Sequence, residues 1–104
     1  MGLDINTFQP GEDSYNVTAA TPTPGRIQVN FNAVKRRLRF ASPTGSGDYW
    51  IKFGDATVVA DTTTSMLALG GTVEMHTIPS KKTHVSVLAA TTSVSVNIVP
   101  GSGT

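Results

Sequence analysis

Apolar and polar residues alternate with a period of two in segment after segment of this 104-residue chain, and no helical stripe of useful length appears. Tyr15, Val17 and Ala19 alternate with Asn16 and Thr18. Ile27, Val29 and Phe31 alternate with Gln28 and Asn30. Val34, Arg36, Leu38 and Phe40 oppose Lys35, Arg37 and Arg39. The run YWIKFGD, residues 49–55, sets Tyr49, Ile51 and Phe53 against Trp50 and Lys52 and stops at Gly54-Asp55. Thr57 to Ala60 reads as a short strand, and Val73, Met75 and Thr77 oppose Glu74 and His76. Val85, Val87 and Ala89 then alternate with Ser86 and Leu88, and Val94, Val96 and Ile98 with Ser93, Ser95 and Asn97.

The breaks between these runs are turn chemistry: TPTPG at 21–25, SPTGSGD at 42–48, Gly70-Gly71, Pro79 and the closing PGSGT. Seven or eight short strands at such spacing predict one antiparallel β-sandwich, jelly-roll-like, over residues 15–104. A barrel is the competing architecture, because alternation does not separate the two. Residues 1–14 have no periodicity and contain Pro10-Gly11, so they read as an irregular N-terminal arm.

Composition narrows the function classes. Only 14% of residues are charged, net charge is +1, and cysteine is absent. No strong pull toward nucleic acid or anionic membrane follows from that balance, and thiol catalysis and zinc–thiolate sites are excluded. No apolar run reaches the 18 or so residues that a membrane-spanning helix needs. MGLDINTFQPGEDS lacks the features of a signal peptide, so synthesis in a cytoplasm is expected.

Candidate chemistry is sparse. His76 and His84 have Glu74 and Asp61 as their nearest acids, and Glu74 and His76 share a strand face. A metal site needs more ligands than that, and an exposed strand face accounts for the pair. No nucleophile elbow or carboxylate pair stands out. The expectation is a non-enzymatic protein without metal or cofactor. The run from Lys35 to Arg39 holds four of eight basic residues and would set Lys35, Arg37 and Arg39 about 7 Å apart along one outer face. A solvated or subunit-facing strand is the favoured reading, and the charges also discourage edge-to-edge aggregation.

YWIKFGDATVVA, then SMLALGGTVEMHTIP, THVSVLAA and a last strand ending NIVPGSG resemble a family of small tailed-phage virion proteins. The matching positions are Tyr49, Phe53, Gly54, Asp55, Met66, Gly71, Pro79, Thr83, His84, Val85, Pro100, Gly101 and Gly103, and the resemblance covers roughly residues 36–103. Ser80-Lys81-Lys82 departs from the pattern, where a neutral Pro or Gly turn is expected, and the Lys35–Arg39 charge run is heavier than the pattern.

The resemblance implies a head decoration or cement protein on the capsid exterior, forming a dimer or trimer and clamping neighbouring copies of the major capsid protein. Contacts to the capsid or to other subunits are then expected from the arm, with Phe8, and from Lys35, Arg37, Arg39, Trp50 and Lys52. A carbohydrate-binding or receptor-contacting module is the alternative, with Trp50 as its platform and Tyr15 and Tyr49 as helpers. A tail or head–tail connector component is a third reading.

Overall fold

The computed structural model describes residues 9–10, 14–29, 37–79 and 81–102. Phe8, Lys35 and the Val34–Arg36 part of the basic run lie outside these residues. Among the described residues there are nine strands: β1 (Gln9–Pro10), β2 (Tyr15–Ala19), β3 (Gly25–Gln28), β4 (Arg37–Ala41), β5 (Tyr49–Gly54), β6 (Met66–Ala68), β7 (Val73–Thr77), β8 (His84–Ala89) and β9 (Val94–Ser102).

All strand pairs are antiparallel. Sheet A has the order β2-β9-β4-β7, with β1 continuing the β2 position along the far end of β9. Sheet B has the order β3-β8-β5-β6. Four pairings nest inside one another along the chain: β5 with β6, β4 with β7, β3 with β8 and β2 with β9. A chain doubled back on itself and then wrapped gives this order, and it is the jelly-roll form of a β-sandwich. Gln9–Pro10, within the segment read as an arm, are therefore paired to Ser102 and Gly101.

The inward residues of both sheets make one core. Leu38, Phe40, Val96 and Ile98 come from sheet A, and Tyr49, Ile51, Val85 and Val87 from sheet B. Phe40 is fully buried and meets the edge of Phe53 across the sandwich, with ring centroids 6.2 Å apart. β8 is buried on both faces because the segment after β5 folds over its outer side. Ala60 N–H donates to Ser86 Oγ (2.9 Å), and Ser86 in turn donates to Gly25 O (3.1 Å).

This crossing corrects the expected strand at Thr57–Ala60. That segment leaves β5 by a tight turn, in which Val58 N–H donates to Asp55 O and Thr57 N–H to the Asp55 side chain. Its later main chain is satisfied by a side chain, not by a neighbouring strand. No strand forms there.

The two long sides of the sandwich differ. On one side β3 presses against β2, and a Cβ on Gly25 would fall on Thr18 O. Only a glycine allows backbones to approach that closely. On the other side β6 and β7 are the edges among the described strands, joined through Gly70-Gly71. The loops at one end of this side interlock: Gly70 N–H donates to Asp48 Oδ1 (2.9 Å) and Gly71 N–H to Ser42 Oγ (2.8 Å).

Candidate functional site

Residues paired across an antiparallel ladder project to the same face. On sheet A, β7, β4 and β9 therefore present three outward rows: Thr77–Arg37–Gly101, Met75–Arg39–Val99 and Val73–Ala41–Asn97. Arg37 and Arg39 are half-buried within this surface, and Val73 remains 54% exposed. Arg37 Nη1 donates to Thr77 Oγ1 (2.8 Å), which lays the guanidinium along its row. At the far side the face turns polar, where Asn97 Nδ2 donates to Asn16 Oδ1 and Ser14 Oγ. The result is an outward surface with two arginines set among Val73, Met75 and Val99.

The register of β7 also corrects the expectation for Glu74 and His76. His76 pairs with Leu38 and Glu74 with Phe40, so the two polar residues share the inward face and Met75 the outward one. Both are half-buried at the open side of the sandwich. His76 stacks edge-on to Phe40 at 5.4 Å and lies 3.2 Å from Glu74 Oε1. Glu74 Oε2 accepts from Leu69 N–H (2.9 Å). The pair caps the core edge and ties down the β6–β7 connection. Among the described residues no three His, Asp or Glu side chains gather as a metal site.

Tyr49 lies fully buried nearby, and its hydroxyl has no hydrogen-bond partner among the described residues. Burial, with the Glu74 carboxylate adding to it, pushes this phenol up to about 12. Between pH 10 and about 12 the unfolded chain ionises Tyr49 while the folded one keeps it protonated. Unfolding then releases a proton, so stability falls as pH rises through that window, by up to about 3 kcal/mol. Tyr49→Phe is expected to melt at or above the wild-type temperature at pH 8. At pH 11.5 it should lose less stability than the wild type. Parallel pH dependences for the two proteins would show that Tyr49 is not shielded in this way.

Sheet B carries the other predicted residues. Trp50 is half-buried in an outward row between Leu67 and Leu88, with Ala20 bridging to Leu88 at its end. Lys52, one row on, is engaged within the chain: Nζ donates to Thr64 Oγ1 (2.8 Å) and lies 3.5 Å from Asp61 Oδ2. Asp61 also accepts from the Thr63 and Thr64 N–H groups. Hydrogen bonds from Thr64 and Thr63, with Lys52 adding to them, hold its carboxyl well below the usual range. So Arg37 and Arg39 share one face, while Trp50 and Lys52 sit on the opposite one.

An open hollow of about 410 Å³ lies between Pro24, Arg26, Val58 and Val59, above Ser86. Arg26 Nη1 donates to Val58 O (3.2 Å), which joins its two walls. In the turn before β8, Lys81 adopts a left-handed φ of 68°, a conformation that glycine takes without strain. This is where the sequence departs from the Pro or Gly turn of the virion pattern. Comparison with protein families, with characterised proteins and with solved structures finds no match to this chain.

Proposed function

We propose that this chain is a non-enzymatic structural protein of a phage virion, docking on the capsid exterior through the outer face of sheet A. The observation that carries the reading is the composition of that face. Two half-buried arginines are set among Val73, Met75 and Val99 on the rows of β4, β7 and β9. Arginine and methionine are enriched at protein–protein contacts. A pleated sheet holds such groups in place, so little ordering accompanies docking. The jelly roll supports the reading in a general way, since capsid and lectin domains both use it, and a fold alone does not choose between them. Residues 1–14, whose Gln9–Pro10 start from the β9 edge of the same sheet, are assigned the second contact.

The test is co-sedimentation with undecorated tailed-phage capsids assembled from a major capsid protein alone. Wild-type protein is expected to pellet with capsids and not with isolated tails. Arg39→Glu should weaken binding by about tenfold or more, since it places a negative charge where the face offers arginine. Failure to pellet, or unchanged binding by Arg39→Glu, would overturn the proposal. Binding on a glycan array that Trp50→Ala removes would instead assign the chain to the sugar-binding class.

A further inference from the structure

Docking covers charge as well as apolar surface, and the outer face of sheet A carries charge of one sign. Its outward rows hold Arg37 and Arg39 and, among the described residues, no acid. The two sit on one strand face about 7 Å apart. Arg37 gives one N–H to Thr77 Oγ1, and its Nε is buried with no hydrogen-bond partner among the described residues. Arg39 has neither a hydrogen bond nor an ion pair among them.

The chain's own carboxylates are engaged elsewhere. Asp48 accepts from Gly70 N–H, and Asp55 from Thr57 N–H. Asp61 accepts from the Thr63 and Thr64 N–H groups beside Lys52. Glu74 turns inward to Leu69 N–H and His76. These are the four acids among the described residues, and Asp4, Glu12 and Asp13 lie outside them.

We propose that the surface received by this face is an acidic protein patch, which brings carboxylates to Arg37 and Arg39 between apolar contacts to Val73, Met75 and Val99. The proposal rests on the docking reading of sheet A and adds the chemistry of what docks. A guanidinium taken out of water without a counter-charge is strongly unfavourable, so a surface that covers this face must supply one. The two oxygens of a carboxylate match the fork of the guanidinium. Phosphate matches it too, and the apolar residues decide between them. Val73, Met75 and Val99 lie in the same rows as the arginines or the next ones. A protein patch offers apolar atoms to such residues, and a phosphate backbone does not.

The test uses the full chain without capsids: NMR titration with poly-L-glutamate, and separately with a thymidine oligonucleotide of equal charge. Poly-L-glutamate is expected to shift the amide signals of Arg37, Arg39, Met75 and Thr77, and to bind about tenfold more weakly at about 200 mM salt than at about 20 mM. Arg39→Met keeps an apolar stem and removes the charge. It should bind about tenfold more weakly than the wild type at low salt, with an unchanged melt. Absence of binding, tighter binding of the oligonucleotide, or wild-type affinity in Arg39→Met would overturn the proposal. So would shifts centred on Trp50 and Lys52 or on the exposed Lys81-Lys82 turn. A protein that takes poly-L-glutamate on this face but does not pellet with capsids keeps the acidic partner and loses the capsid. One that pellets yet ignores both salt and poly-L-glutamate keeps the capsid and loses the acidic partner.

Discussion

Phe40→Ala is expected to lower the free energy of unfolding by about 3–5 kcal/mol, the usual cost of emptying a buried aromatic site. Phe40 is fully buried and touches both halves of the molecule, with its ring against Phe53 of sheet B and His76 of β7. The site cannot collapse easily, because Leu38 and Ile98 beside it are held in the ladder. For a domain of this size each kcal/mol moves the melting temperature by about 4–8 °C. The variant should therefore melt at least 12 °C below the wild type, and Phe40→Leu should recover much of the loss. A fall of under 1.5 kcal/mol in urea titration would mean that Phe40 does not join the sheets as described.

The second large effect sits in a loop. Gly70→Ala is expected to cost about 3 kcal/mol or more, the upper range for forcing atoms into filled space. A Cβ at position 70 would fall on Ser46 O and Gly47 O, both of them backbone atoms that no side-chain rotation can move. Relief would require parting loops 42–48 and 69–72, and with them the Gly70–Asp48 and Gly71–Ser42 hydrogen bonds. Gly45→Ala in the facing loop is the control. Gly45 has a left-handed φ of 86° but open space around it, so alanine there should cost only about 1–2 kcal/mol. Equal melting losses for the two variants would remove the steric argument.

Alternation was the most legible signal in the chain, and β2, β4, β5, β8 and β9 all keep the faces it implied. β7 shows its limit. A period of two fixes which residues share a face but not which face turns inward. On β7 the polar pair turns in, because Glu74 is needed by the Leu69 amide and His76 finds the edge of Phe40. Both partners are distant from the strand's own pattern.

Residues 57–60 fail for a related reason. Their β-branched composition suits a strand, yet the available hydrogen-bond partner is the hydroxyl of Ser86, which lies 26 positions away from Ala60. The predicted contact residues divide in the same way. Spacing placed Arg37 with Arg39 and Trp50 with Lys52. That the two pairs occupy opposite sheets, and that Lys52 is engaged by Asp61 and Thr64, depends on the wrapping of the whole chain.

The position of β9 has a consequence in time. It follows the other eight described strands and is an inner strand of sheet A, flanked by β1 and β2 on one side and β4 on the other. Until residues 94–102 emerge during synthesis, β2 has no partner and β4 lacks one of its two. The nested pairing that builds sheet B can form earlier, since β3, β8, β5 and β6 precede it. Sheet A must wait for residues 94–102, and its β2–β9 ladder then joins residues 75 or more positions apart. Contacts of that separation put folding on the order of milliseconds to seconds. A chain halted short of residue 94 would present half a sandwich with its apolar face uncovered, a substrate for chaperones or proteases and not for assembly.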